Sequence, residues 1–241
     1  MTSKPLPSNA TLIPVDLDHE DQRSILYAQR KICGWGETNI PIWDAHIKSG
    51  HRAMFWIAFP SSSPAATGIA TKSALDFIPH PANGGSEKVL LVGHVALDRI
   101  DVPSEDSLTG DTTLTAEDGS VLTIATLFVM PEFKVHGLGS FAMTECERLA
   151  QEEPYGSLNC RAISVNTLSD RHCGNGVDGK DGLDMFPSLG LPTPARSNVG
   201  WFEKQGYVRY KEEKRYKAYT TDGRTIVVWA VYLKKELPPR K

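Results

Sequence analysis

The stretch FVMPEFKVHGLGS, Phe128 to Ser140, joins a strongly apolar segment to a helical pattern. The segment that leads into it, SVLTIATLFV from Ser120 to Val129, is apolar at nearly every position, which indicates a buried central strand. After it, apolar residues recur at helical spacing from about Leu138 to Glu152. The sequence therefore predicts a strand, a turn that contains Gly137 and Gly139, and a helix.

A turn of this kind suits an anionic ligand. Amides in the first turn of a helix lack intrahelical partners and lie at the positive end of the helix dipole. Glycine lets the backbone come close to a phosphate, because a Cβ would collide with it. A tight turn without a ligand is the alternative, since an isolated GxG is a weak signal. The stretch is not a Walker A loop, which ends in GK[ST], nor GxGxxG, since Ala142 takes the third glycine position.

Composition places the chain among ordinary globular proteins. Its 241 residues are 40% hydrophobic and 23% charged, which favours one enlarged domain over two small ones. A formal net charge of -3 argues against a nucleic-acid-binding protein, which is normally basic. The N-terminal residues lack an apolar signal region, and no window reaches transmembrane length. We therefore expect a cytoplasmic protein with no membrane or nucleic-acid partner.

No metal is expected from the sequence. The cysteines fall in no CxxC pair and no zinc-ligand spacing, and reduced thiols of a cytoplasmic protein explain them. The acidic cluster DGKDGLD, Asp178 to Asp184, lacks the spacing and the glutamate of an EF-hand loop. A polar loop is the better interpretation of this cluster.

The pattern along the chain predicts a mixed α/β fold with one sheet. A Pro/Ser-rich tail over 1–17 precedes a single domain over 18–237, which carries an irregular insertion at 170–196. A hairpin should fold at Asp222-Gly223. The run KEEKRYK, Lys211 to Lys217, reads as the solvated face of a strand. Helices are expected near 19–33, 42–48, 138–152 and 198–204, and strands near 52–59, 88–101, 120–129, 161–168, 208–220 and 225–233.

Two motifs in this order resemble those of the GCN5-related N-acetyltransferases (GNAT). VMPEFKVHGLGS matches the form [Q/R]xxGx[G/A] after a strand that ends in V-x-P-E. WFEKQGY, Trp201 to Tyr207, is similar to the later family motif Y-E-K-x-G-[F/Y]. The resemblance covers roughly 52–233 and leaves the insertion at 170–196 as foreign material. It implies a single mixed, mostly antiparallel sheet flanked by helices.

The resemblance also implies acetyl-CoA as cosubstrate and assigns residues to it. In the family, main-chain groups at the end of the strand pair with pantetheine, and the following loop and helix start hold the pyrophosphate. Asn198 and Phe202 would be further CoA contacts. KEEKRYK could also border the 3'-phosphate. The residues implied at the strand end and loop are Phe128, Val129, Met130, Lys134, Val135, His136, Gly137, Leu138, Gly139 and Ser140.

Two departures from the family pattern concern chemistry. Lys134 replaces the usual Gln or Arg, which keeps a positive charge but loses bidentate geometry. Phe202 replaces the tyrosine that in many members protonates the departing thiolate. The nearest phenols are those of Tyr207 and Tyr210, and a water could also serve as the acid.

Four residues are candidates for the base that deprotonates the amine: Glu132, His94, Asp98 and His172. Each has a structural alternative, such as a solvated carboxylate for Glu132 and a packed strand histidine for His94.

The sequence thus predicts an N-acetyltransferase that moves an acetyl group from acetyl-CoA to a primary amine by direct attack in a ternary complex. We expect a small-molecule acceptor rather than a protein. The alternatives are a protein-lysine acetyltransferase and a non-catalytic acyl-CoA-binding module, the latter favoured by Phe202. The insertion at 170–196 is expected to cover the acceptor side of the site rather than support the core. The acceptor amine, the acid and base, and the oligomeric state are not readable from the sequence.

Overall fold

The computed structural model describes residues 9–63, 78–79, 87–102, 104, 106–108, 110–173 and 185–240. The strands within them are β1 (Thr11–Pro14), β2 (Arg52–Pro60), β3 (Ile78–Pro79), β4 (Lys88–Asp98), β5 (Val121–Val129), β6 (Ala162–Leu168), β7 (Val208–Tyr219) and β8 (Thr225–Glu236). The α-helices are α1 (Glu20–Cys33), α2 (Ile40–Lys48), α3 (Leu138–Leu149), α4 (Met185–Ser188) and α5 (Val199–Lys204).

The strands form a single mixed sheet in the order β1-β2-β4-β5-β6-β8-β7, with β3 paired to β4. β5 and β6 are parallel, whereas β1 and β2, β2 and β4, β6 and β8, and β7 and β8 pair antiparallel. This confirms the predicted fold class. No helix among the described residues has the length and apolar character needed to cross a bilayer.

The chain divides into two compact units, and β5 contributes residues to both. Unit 1 comprises Met1–Arg99 and Ile124–Leu158, and unit 2 comprises Ile100–Thr123 and Asn159–Lys241. In unit 1, β2 reads as a nearly continuous apolar run and is buried along most of its length, with Trp56 at 0% exposure. Leu26 of α1 and Ala142 of α3 are equally buried. The helices α1 and α3 thus contribute apolar side chains to the core of this unit.

β1 was not predicted from the sequence and lies within the predicted N-terminal tail. Thr11 to Pro14 pair with Ala58 to Phe55 of β2, and Ile13 is 2% exposed. β1 is an edge strand of four residues, and Pro14 ends it. A strand this short, beside prolines, carries little alternation, and proline is tolerated at a sheet edge. Its position therefore depends on pairing with β2.

Unit 2 is built on the predicted C-terminal hairpin. β7 and β8 pair along their lengths, and Gly223 in the connection has φ 83°, which confirms the turn at Asp222-Gly223. The prediction for KEEKRYK was wrong at Arg215. Its side chain is 2% exposed and pairs with Asp101 at 2.7 Å. A partly buried carboxylate from a distant loop therefore changes the environment of this arginine.

Parts of the insertion are buried in unit 2, although the insertion was expected not to support the core; its coverage of the acceptor side stays a prediction. Met185 and Phe186 of α4 are 1% and 8% exposed, and His172 is 2% exposed. Residues 174–184, with the acidic cluster Asp178 to Asp184, lie outside the described residues.

Candidate functional site

The predicted turn after β5 is a short 3₁₀ helix, Pro131–His136, followed directly by α3. Phe133 in the turn and Leu138 at the start of α3 are both fully buried. Between them, Lys134 and His136 are exposed. The buried pair anchors both ends of the turn, so its polar residues face solvent at a fixed position.

Gly137 connects the two helices in the left-handed conformation, with φ 77° and ψ 6°. Residues with a Cβ rarely adopt this conformation, so glycine fits the sharp change of direction. The first α-helical bond of α3 runs from the Phe141 amide to the Gly137 carbonyl at 3.0 Å. The amides of Leu138 and Gly139 precede that bond and lie at the positive end of a twelve-residue helix.

The Lys134 cation beside this helix start adds to its positive potential. Lys134 is exposed. His136 Nδ1 donates to the Phe133 carbonyl at 3.3 Å, so Nε2 of that ring takes no part in this bond. An anion with several oxygens, such as a pyrophosphate, fits backbone amides flanked by a lysine. The residues of the turn therefore fit the diphosphate of a CoA molecule.

Thr126 of β5 is a functional candidate that sequence reasoning missed. Its φ is 52°, which is exceptional for a β-branched residue, and its buried hydroxyl has no partner among the described groups. A backbone held in this region costs about 1–3 kcal/mol, and such strain clusters at binding and catalytic sites. The paired residues of β5 and β6 end at Thr123 and Ser164. Nothing in the apolar run around Thr126 could have revealed its conformation.

His94 is a packed strand histidine, the structural alternative of the sequence analysis. It is 0% exposed, and Nδ1 lies 2.8 Å from Gln29 Oε1 while Nε2 lies 3.3 Å from Arg30. Arginine can only donate, so Nε2 accepts and Nδ1 carries the proton. Burial, followed by the nearby Arg30 and Arg52 cations, lowers the pKa of His94 well below its usual value. Both ring nitrogens are engaged, which leaves no lone pair for a substrate proton.

Asp98 and His172 are also committed to structural bonds. Both carboxylate oxygens of Asp98 accept from Arg52 at 2.8 Å, and each side chain of the pair is 2% exposed. His172 Nε2 accepts from the amide of Trp229 at 3.0 Å, and burial lowers the pKa of its ring. Glu132, in contrast, is exposed at the start of the 3₁₀ turn. Of the four base candidates, Glu132 alone presents an accessible carboxylate or imidazole.

The remaining candidates lie in unit 2. Asn198 is exposed at the start of α5, and Phe202 in that helix is 8% exposed. Tyr207 is 2% exposed, with its ring 5.9 Å from that of Phe202. Tyr210 is 40% exposed, and its hydroxyl lies 3.1 Å from that of Thr113. The structure thus brings Phe202 and Tyr207 together, whereas Tyr210 contacts a different loop of the same unit.

Comparison with known families assigns this strand, turn and helix. A family model described as the acetyltransferase (GNAT) family matches residues 42–172, more than half of the chain. The chain belongs to the GNAT acetyltransferase family. The match contains β5, the 3₁₀ turn and α3, whereas the second motif, Trp201 to Tyr207, lies beyond it. Among curated proteins, none matches this GNAT chain by sequence.

Several solved structures match the GNAT chain over nearly its whole length at low sequence identity. NAA60 of Arabidopsis thaliana in complex with acetyl-CoA is 10% identical, with a TM-score of 0.49 over 95% of this chain and 98% of that one. An aminoglycoside 6'-N-acetyltransferase complexed with coenzyme A is 11% identical, with a TM-score of 0.49 over 96% and 99%. A spermidine N-acetyltransferase SpeG chimera from Vibrio cholerae and hSSAT is 14% identical, with a TM-score of 0.46 over 93% and 95%.

Proposed function

We propose that this GNAT-family chain is an N-acetyltransferase that moves an acetyl group from acetyl-CoA to a primary amine by direct attack in a ternary complex. The observation that carries the proposal is the turn between β5 and α3, with left-handed Gly137 and first-turn amides beside exposed Lys134. A pyrophosphate matches that arrangement in charge and in its demand for N–H donors.

Different residues of this site would contact different parts of the cosubstrate. Lys134 to Ser140 would hold the pyrophosphate, and the main chain of Phe128 to Met130 would pair with pantetheine. For Asn198 and Phe202, a contact with the cosubstrate rests on the family resemblance alone. Phe128 and Met130 are 8% and 5% exposed, so their side chains are anchored and their backbone is held in place.

The chain would supply orientation and proton transfer, since bound acetyl-CoA supplies an activated thioester. A thiol has an ordinary pKa of about 8.5, so thiolate can leave without a strong acid. Positioning two reactants can contribute about 7–11 kcal/mol, more than general-acid help does. We assign the base to Glu132, because its carboxylate is exposed two residues after Met130. The small-amine acceptor remains the preferred substrate class in this proposal.

A non-catalytic acyl-CoA-binding protein is the second candidate, and Phe202 favours it. Its ring is buried against Trp201 and Tyr207, with centroids at 4.9 Å and 5.9 Å, and offers no hydroxyl to a departing thiolate. Such a protein would keep the turn and α3 but not the chemistry.

CoA release with and without a panel of amines separates these candidates. Polyamines, aminoglycosides and lysine-containing peptides should be tested as separate classes, with calorimetry for acetyl-CoA binding alongside. Amine-dependent CoA release supports the enzyme. If peptides are the best acceptors, the proposed acceptor class changes from small amines to proteins. Tight binding without turnover supports the second candidate. Absence of acetyl-CoA binding would reject both.

A further inference from the structure

Three successive residues of β4 contact the end of β5 where it enters the turn. The Val92 carbonyl accepts from the Met130 amide at 2.9 Å. The backbone of Gly93 approaches that of Phe128, and the His94 ring lies 5.4 Å from the Phe128 ring. We name residues 92–94 the β4 clamp. Each of its members contacts β5 through a different group.

A bulge brings the β4 clamp into this position. In the pairing of β2 with β4, Ile57 lies opposite Gly93 but Ala58 lies opposite Leu91, so Val92 has no partner on β2. A bulge bends a strand and redirects its side chains and carbonyls. The extra residue is the one whose carbonyl holds Met130. The bulge in β4 and the hydrogen bond that holds the end of β5 therefore involve the same residue, Val92.

Gly93 is required by the closeness of the two backbones. A Cβ at this position would lie 2.2 Å from the Phe128 carbonyl oxygen and 3.0 Å from Val129 Cα. Both atoms belong to the main chain, which cannot move aside as a flexible side chain can. Any side chain at Gly93 must therefore displace Phe128 and Val129.

His94 completes the clamp from the other side. Gln29 and Arg30 fix its ring through both nitrogens, and those residues lie in the last turns of α1. Gln29 Nε2 also donates to the Leu91 carbonyl at 3.1 Å, just before the bulge. The ring that packs against Phe128 thus has little freedom to rotate.

We infer that the β4 clamp positions the backbone of Phe128 to Met130 for acyl-CoA, which makes Gly93 and His94 positioning residues for cosubstrate binding. The inference rests on the proposed function, because it assumes that this strand end pairs with the cosubstrate. In this inference His94 acts by packing against Phe128 rather than by transferring a proton. A displacement at Phe128 also reaches the turn, since Met130 directly precedes it.

Gly93→Ala tests this role, with Gly156→Ala as a matched control in the same unit. A Cβ at Gly156 would also lie 2.2 Å from a backbone oxygen, that of Ala150 beyond the C-terminal end of α3. The Cβ at Gly156 would also lie 2.3 Å from the carbonyl carbon of Ala150 and from the Leu149 carbonyl oxygen, so its clash is the more severe, but it is remote from the β4 clamp. CoA dissociation constants by calorimetry, and Tm without ligand, are measured for both variants and the native chain.

The clamp predicts that Gly93→Ala weakens CoA binding by about tenfold or more, while Gly156→Ala changes it by less than about threefold although its loss of Tm is at least as large. Unchanged affinity in Gly93→Ala, or equal losses in both variants, would overturn the inference. If Gly93→Ala does not fold, His94→Gln decides, since it keeps a polar partner for Arg30 but removes the ring from Phe128. Weaker CoA binding in His94→Gln supports the clamp, and native affinity overturns it. Native chain that binds no CoA would instead reject the proposed function.

Discussion

Gly139→Glu should change stability and CoA binding in opposite directions. Gly139 is the second residue of α3, so its backbone accepts a side chain without strain. Replacing glycine by a better helix former and adding a negative charge in the first turn together stabilise the helix by about 1 kcal/mol. For a chain of this length, that corresponds to a Tm rise of about 2–4 °C without ligand.

The same carboxylate should repel a bound pyrophosphate. At about 6–8 Å from a phosphate charge, and with an effective dielectric constant of about 20, the repulsion is about 2–3 kcal/mol. CoA affinity should therefore fall by about 30-fold or more. Repulsion of this kind weakens as salt shortens the Debye length, so the loss should shrink from about 0.1 M to about 1 M salt.

Gly139→Gln is the matched control, since it adds nearly the same volume without charge. Calorimetry with CoA and thermal unfolding without it should be run on the native chain and both variants. We expect a much larger loss of CoA affinity for Gly139→Glu than for Gly139→Gln. Equal affinities in the two variants would refute a pyrophosphate at the start of α3, because the charge would then be far from any phosphate.

Three further perturbations test other parts of the structure. Phe202→Tyr adds one hydroxyl to a buried ring. If the native chain is an enzyme with another acid, its rate should change modestly, whereas a non-catalytic binder should gain slow amine-dependent CoA release. A large loss of native turnover would contradict both. Arg52→Met removes the cation that binds both carboxylate oxygens of the buried Asp98 and should destabilise the fold by about 3–5 kcal/mol in urea unfolding; a loss below about 1 kcal/mol would show that water reaches the pair. Burial raises the pKa of Asp111, but hydrogen bonding led by Lys211 outweighs it and sets the pKa to about 2. Because this folded-state pKa is depressed, its stabilisation is present above the unfolded pKa of 3.8 and is lost as pH falls towards about 2. The native chain should therefore exceed Asp111→Asn in stability at neutral pH by an amount that disappears in acid, and a pH-independent difference would contradict this assignment.

The central elements of the fold were predictable because their signals are local. The apolar run over 120–129 and the helical period after Gly137 are read within a few residues, and both elements are where the pattern placed them. The helix ends at Leu149 rather than at the predicted Glu152, since helix ends depend on capping and packing. Gly137 was predicted to lie in the turn, and it does so in the left-handed conformation that glycine readily adopts.

The missed features depend on residues that are distant in sequence. His94 is bonded to Gln29 and Arg30, about 65 positions away, so its environment follows from the packing of α1 on the sheet. Arg215 is buried and pairs with Asp101, which lies 114 positions earlier in the chain. Periodicity reports which face of an element is apolar, but it contains no information about such pairs. The same holds for Thr126, whose backbone conformation conflicts with the preference of its own residue type.

A crystal structure of the chain with acetyl-CoA would show whether the turn after β5 and the start of α3 hold the pyrophosphate. We expect pyrophosphate oxygens within about 3 Å of the backbone amides between Lys134 and Ser140, and pantetheine alongside the main chain of Phe128 to Met130. Acetyl-CoA bound elsewhere, or crystals soaked at saturating concentration with no ligand at the start of α3, would contradict it.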